Sequence, residues 1–356
     1  MAHIAEQPRS DTPLRLAGLD GLRGLAACVV AFGYHAQYLF AQGVIPAGTG
    51  WFVGDWLRGS GWLAVDLFFV LSGFVFAHVY LTNAGDWRDF GVARFARLYP
   101  LHLVTLLFCL VTLGHLPGNT LPAFIAHLAM AQALVQPAGH TFNGPSWSLT
   151  VEIICYALFL LGLRAGGRWL RIITMVAICA GLIGVRLQLP GGEVSTMAAL
   201  FRALLGFFIG QAIWRGRGWL GRIPLPMLIV AVLAALLVDP ARFGSVLPVT
   251  LLGWPALLLM ALRLKGFSAR PLAWLGARSY AIYLIHMPLI DLVHELSGGG
   301  LTGSPALIAG AWLALIAATL ILSDLAWRWL EQPQRQAILT AWQRRKSAAN
   351  RTEAVA

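Results

Sequence analysis

The sequence predicts an all-α polytopic membrane protein of about ten transmembrane helices with both termini cytoplasmic. Two proportions and one pattern lead there. Hydrophobic residues make up 58% of the 356 residues and charged residues only 12%, about half the charge of a soluble globular chain. Mean hydropathy is +0.72. The apolar residues recur in runs close to the roughly 20 residues that cross a bilayer. The net charge of +11 sits in short clusters between those runs, and 24 of the 26 basic residues are Arg. That is positive-inside patterning; no basic arm or face tracks phosphates, so no nucleic-acid partner is expected. Cys28, Cys109, Cys155 and Cys179 lie inside apolar runs without CxxC spacing, as small packing residues and not as a metal or disulfide framework.

Residues 1–18 are polar, carry Pro8 and Pro13, and lack the apolar stretch of a cleavable signal. The first hydrophobic segment is therefore expected to stay in the protein as a helix. Spans are expected near 20–42, 62–82, 98–115, 147–163, 171–188, 196–214, 224–239, 247–263, 272–293 and 304–328. An eleventh stretch, 121–136, is short, holds His127 and is flanked by Pro122 and Pro137, so a re-entrant or interfacial course suits it better. Charge supports that choice. If 121–136 does not cross, the clusters beginning at Arg164, Arg215, Arg263 and Arg328 join Arg9, Arg15, Arg23 and the loop 83–97 on the cytoplasmic side. That side then holds 21 of the 26 basic residues. Residues 19–331 form one transmembrane domain without internal repeats, and 332–356 read as a basic cytoplasmic tail. The expected location is the inner (plasma) membrane, multi-pass, with membrane lipids as immediate partners.

Ionisable groups at membrane depth cost several kcal/mol unless paired or hydrated, which makes each a functional candidate. His35, Asp66, Glu152, Arg202, His286 and Asp324 are placed there by the span assignments. Counting along the spans puts His35, Asp66, Glu152 and His286 at similar depth on four different segments. Their common level favours a shared polar cavity over unrelated helix-packing polars.

Several stretches resemble one family, in that family's order. Leu19-Asp20-Gly21-Leu22-Arg23-Gly24-Leu25-Ala26-Ala27, ending at His35, looks like the first-helix signature of the acyltransferase 3 membrane proteins. Gly61 to Phe74 (GWLAVDLFFVLSGF), Arg94-Phe95-Ala96-Arg97-Leu98-Tyr99-Pro100, Trp147-Ser148-Leu149-Thr150-Val151-Glu152, Ser279 to His286 (SYAIYLIH) and Glu331-Gln332-Pro333 resemble its later blocks. Together they run from about Leu14 to Pro333. The resemblance implies a ten-helix fold and transfer of an acyl group, usually acetyl, from cytoplasmic acyl-CoA to hydroxyls of sugars or other membrane-associated acceptors. One spacing departs from the family: eleven residues separate Arg23 from His35, one more than its pattern. In a regular helix the extra residue rotates His35 by about 100°. Either a π-bulge near Gly33 absorbs it or the two side chains do not share a face.

The residue types suit that chemistry. A neutral imidazole takes the proton of an attacking hydroxyl, which assigns His35 as general base, and a carboxylate, Glu152 or Asp66, would fix its tautomer. Arg23, Arg94 and Arg97 stand at the cytoplasmic boundary, where the forked guanidinium suits the phosphates of coenzyme A; positive-inside anchoring is the plainer role for Arg94 and Arg97. Ser72, Trp147, Ser148, Tyr283 and His286 are candidates for acceptor contact, although Ser72 and Ser148 also suit close helix packing. No permanent cofactor is expected; acyl-CoA is a donor substrate and a glycan or lipid-linked glycan the acceptor. Other chemistries have little support: there is no G-x-S-x-G, H-E-x-x-H or Walker lysine. His286 and Asp291 form an H-x-x-x-x-D pair, read as accidental because Pro288 is expected to break the helix between them. A transporter or flippase using the buried polar groups is the rival reading, and the paired broken helices that would favour it are not seen.

Overall fold

The computed structural model describes residues 16–40, 44, 52–82, 86–135, 138–188, 196–237 and 245–355. Among the described residues there is no β-strand, only an isolated bridge between Phe40 and Leu301. Helix lies on every segment expected to span. In chain order these are α1 (Ala17–Cys28), continued by a π-helical turn (Val29–Tyr34) and a 3-10 turn (His35–Leu39); α2 (Phe52–Ser60), running through Gly61–Leu63 into α3 (Ala64–Tyr80); and α4 (Trp87–Leu113). The short α5 (Leu121–Leu128) is followed by α6 (Trp147–Ala165), α7 (Gly167–Gln188), α8 (Thr196–Leu220) and α9 (Leu225–Leu237). The chain closes with α10 (Trp254–Arg263), α11 (Arg270–Leu296), α12 (Pro305–Ala326) and α13 (Gln332–Val355). Six described helical stretches are long and apolar enough to cross a membrane, and Leu225–Leu237 and Val249–Arg263 are shorter apolar helices. The chain is a polytopic, nearly all-helical membrane protein.

Several expectations change in detail. Within 121–135 the structure has the eight residues of α5 and a three-residue 3-10 turn, Gln132–Leu134; α5 gives about 12 Å of helix, far short of the roughly 30 Å a span requires. The loop assigned to 83–97 ends earlier, because Asp86 caps α4 by accepting from the Arg88 amide at 3.0 Å. Arg94 and Arg97 therefore stand on a helix, one turn apart, and not in a loop. Pro288 does not break α11. Its ring frees the carbonyl of Leu284, and that carbonyl instead accepts from Asn143 Nδ2 at 2.8 Å. Neighbouring side chains make such prolines tolerable inside membrane helices. The segment 332–356 is helical through Val355 and leans on α4, with Trp342 Nε1 donating to Asp89 (2.6 Å) and Lys346 Nζ to the same carboxylate (2.8 Å). Residues 1–15 of the N-terminal segment lie outside the described residues.

Two helix pairs set the bundle's geometry: α1 against α11, and α3 against α8. Lipid tails are as apolar as Leu, so close backbone approach has to supply the attraction between helices. A Cβ on Gly24 would sit 2.6 Å from the Gly276 nitrogen, and one on Gly73 would sit 1.7 Å from the Phe207 carbonyl oxygen. Any side chain there forces the pair apart. Gly73→Val should therefore lower the thermal unfolding midpoint of the detergent-purified protein sharply, since overpacking costs about 1–3 kcal/mol or more. Gly91→Ala, which meets open space, should leave the midpoint unchanged or slightly higher; equal midpoints for the two variants would contradict the close packing.

Candidate active site

The polar residues expected to share one cavity occupy three separate places. The first is formed by α1 and α11. His35 Nδ1 lies 2.8 Å from His286 Nε2, with the ring centroids 5.0 Å apart and the ring planes within 18° of parallel. His286 is fully buried, and its Nδ1 lies 3.0 Å from the Ile282 carbonyl oxygen. The π-helical turn Val29–Tyr34 makes this contact possible. It absorbs the extra residue between Arg23 and His35, as one of the two sequence alternatives required. The carbonyls it loosens find partners: Phe32 O accepts from Trp312 Nε1 at 3.0 Å, and Gly33 O from Gln37 Nε2 at 3.1 Å.

The second place is a buried ion pair between α3 and α8. Arg202 meets Asp66 at 2.7 Å and 3.0 Å, with both side chains at most 5% exposed. Its guanidinium lies 4.3 Å from the Trp62 ring and 5.7 Å from that of Trp147. Trp147 thus packs against this pair and Phe69. Asp66 has its partner in Arg202, not in His35.

The third place is an arginine-rich cavity of about 90 Å³ among α1, α3, α4, α6 and α11. Arg23, Arg94, Arg97, Ser72, Ser148, Glu152 and Tyr283 all line it. Glu152 accepts from Ser72 Oγ at 2.7 Å and from the Tyr156 hydroxyl one helical turn on, so it too is engaged away from His35. Ser148 Oγ and the Tyr283 hydroxyl both donate to the Pro145 carbonyl, at 3.1 Å and 2.9 Å. Arg94 is stacked on Phe76 at 4.6 Å, and its Nε has no hydrogen-bond partner. Among the described residues, neither Arg94 nor Arg97 has a carboxylate within ion-pair distance, and Arg23 reaches only Asp20, at 4.0 Å. A second cavity of about 350 Å³ shares Arg23, Arg97 and Tyr280 and opens past Trp327, Glu331 and Arg335. Like charges brought together away from water are costly without a counter-ion; here three arginines surround Glu152 in the inner cavity, and Glu331 faces Arg23 and Arg97 in the outer one.

Phe68 and Tyr283 line the inner cavity and touch each other at 5.7 Å; the Tyr283 ring then lies 6.0 Å from that of His286. They form the wall between arginines and histidines. Arg23 and His35 are twelve positions apart along α1 and the π-helical turn that continues it, at most about 18 Å of rise. The sequence reading missed Tyr156 and Tyr280; the position of Tyr156, four residues after Glu152 on one helix, was the signal that could have found it. No group of three or more His, Cys, Asp or Glu side chains that could hold a metal occurs among the described residues.

The helix bundle thus holds a buried histidine pair in one place and an arginine-rich cavity in another. The chain belongs to the acyltransferase 3 family, whose acyltransferase domain model matches residues 16–328. It is similar to the acyltransferase MdmB of Streptomyces mycarofaciens, at 29% identity over 90% of this chain and 92% of that protein. It is also similar to the peptidoglycan O-acetyltransferase OatA of Listeria monocytogenes (26%; 89% of this chain, 55% of that protein). The third relative is the putative peptidoglycan O-acetyltransferase YrhL of Bacillus subtilis (25%; 93% and 56%). The chain thus spans nearly all of MdmB but only just over half of OatA and YrhL. No solved structure matches.

The Asp66–Arg202 pair yields a test of its own. Arg202→Leu leaves a buried carboxylate unpaired and should cost about 3–5 kcal/mol of stability. The double variant Asp66→Leu/Arg202→Leu should recover most of it in thermal unfolding, because two apolar side chains replace two desolvated charges. Recovery of nothing would mean that the pair is more than a tie between α3 and α8.

Proposed function

We propose that the protein is an integral membrane O-acyltransferase that moves an acetyl or similarly short acyl group from acyl-CoA to a hydroxyl of a glycan or lipid-linked glycan. The observation that carries the donor is the arginine cavity: three guanidiniums line it around a single glutamate, and among the described residues neither Arg94 nor Arg97 has a carboxylate within ion-pair distance. Coenzyme A phosphates supply the missing negative charge, and guanidinium forks suit them. The Arg23-to-His35 separation, at most about 18 Å along the chain axis, is of the order of an extended phosphopantetheine arm. With phosphates at the arginines, that arm would bring the thioester toward His35. The peptidoglycan O-acetyltransferase names of OatA and YrhL support a glycan hydroxyl as acceptor.

In this reading His35 takes the hydroxyl proton as the oxygen attacks the thioester carbonyl. The carbon–sulfur bond breaks, and the proton passes to the departing thiolate. Glu152, Ser72 and Tyr156 hold the arginine cavity in shape, and Trp147 and the Asp66–Arg202 pair brace the helices around it. The inner (plasma) membrane is the location such a reaction needs, with donor on the cytoplasmic side.

Thiol release from acetyl-CoA by the purified protein, with and without a glycan acceptor, tests this. His35→Ala should lower turnover about a hundredfold to ten-thousandfold, the range for loss of a positioned base, with little change in the KM for acetyl-CoA. Arg94→Gln/Arg97→Gln should do the reverse and raise that KM at least tenfold. Proton-coupled uptake of a solute without thiol release would overturn the proposal in favour of a transporter, and unchanged KM in a poorly inserted double variant would leave Arg94 and Arg97 as topology anchors only.

A further inference from the structure

We propose that His286 is the positioning residue for the base: it fixes the tautomer of His35 and leaves Nε2 of His35 as the atom that takes the proton. The inference rests on His35 being the base.

One chain of contacts fixes where each hydrogen sits. A carbonyl oxygen can only accept, so His286 Nδ1, at 3.0 Å from Ile282 O, carries the N–H of that ring. A neutral imidazole has one N–H and one lone pair, so Nε2 of His286 is bare. It lies 2.8 Å from His35 Nδ1 and can hold that contact only as acceptor. His35 Nδ1 must then carry the hydrogen, and His35 Nε2 is left with its lone pair. Among the described residues Nε2 of His35 has no hydrogen-bond partner, while both nitrogens of His286 are engaged and its ring is fully buried. The roles are therefore not interchangeable. Only His35 offers a free basic nitrogen.

In hydrolase triads a carboxylate does this work, holding the tautomer and stabilising the imidazolium that forms. Here the carboxylates are taken: Asp66 by Arg202, Glu152 by Ser72 and Tyr156. A neutral ring has an advantage at membrane depth, because no uncompensated charge is buried in the resting state. When the hydroxyl proton arrives at His35 Nε2, the Nδ1–H contact strengthens and the added charge spreads toward His286 and the Ile282 carbonyl. The carbon–oxygen bond forms, the carbon–sulfur bond breaks, and the same proton leaves with the thiolate; the pair returns to its starting tautomers.

The test uses the full chain in detergent, acetyl-CoA as probe and thiol release as readout. His286→Gln keeps an acceptor oxygen for His35 Nδ1–H; His286→Leu keeps volume and removes it; His286→Asn is too short to reach His35. The expected result is a kcat within about tenfold of wild type for Gln. For Leu and Asn, kcat should fall about a hundredfold with KM for acetyl-CoA within twofold. A folded Leu or Asn variant with wild-type kcat overturns the proposal. So does equal impairment of Gln and Asn, which would mean that the ring serves packing alone; the Gln–Asn comparison stands even if the Leu variant does not fold. His35→Gln separates the two claims: full turnover there defeats the reading of His35 as base, whatever the variants at 286 do.

Discussion

Helices α1 and α11 touch backbone to backbone, with Gly24 laid against the Gly276 nitrogen and no side chain between them. The rest of the site depends on this contact. It sets the distance between the strand of chain that carries Arg23 and His35 and the one that carries Tyr280, Tyr283 and His286. At that distance a regular helix would turn His35 away. The π-helical turn Val29–Tyr34 restores the direction, and carbonyls loosened by the turn are taken up by Trp312 and Gln37. In a medium with no water to satisfy stray backbone groups, a bulge persists only where such partners exist.

Polar groups inside this bundle are handled in three physically different ways, and the difference separates architecture from chemistry. Asp66 and Arg202 neutralise each other in a buried ion pair, Nε donating to both carboxylate oxygens, flanked by Trp62 and Trp147. His35 and His286 avoid charge altogether and leave one lone pair free. The arginine cavity gathers three guanidiniums around Glu152, whose Oε1 accepts from both Ser72 and Tyr156.

Much of this was legible in the sequence, and the parts that were not share a cause. Apolar runs gave each helix its place, because a lipid-facing span has few other ways to be written. The length of 121–136 and its flanking prolines marked it as unable to cross. Depth along a span is also countable, and it suggested one level for His35, Asp66, Glu152 and His286; the structure instead sets Glu152 with the arginines and Asp66 with Arg202, apart from the histidine pair. Azimuth around the bundle is not countable: which neighbour Asp66 faces depends on the α3–α8 contact made at Gly73, and Arg202 lies 136 residues away from it. Pro288 misled for a related reason. Its effect on α11 depended on Asn143, a distant residue ready to cap the freed Leu284 carbonyl. Arg94 and Arg97 read as a loop because charge at a membrane boundary resembles a loop; the Asp86 cap that starts α4 before them was the overlooked signal.

The claim on which the account turns is that α11 dictates where the proton sits on His35. Solid-state ¹⁵N NMR of the histidine-labelled protein in lipid bilayers reads this directly, because protonated and bare imidazole nitrogens resonate far apart. The account predicts that His35 and His286 are both neutral with hydrogen on Nδ1, coupled through one Nδ1–H to Nε2 contact. Hydrogen on Nε2 of His35 in the resting protein would contradict it.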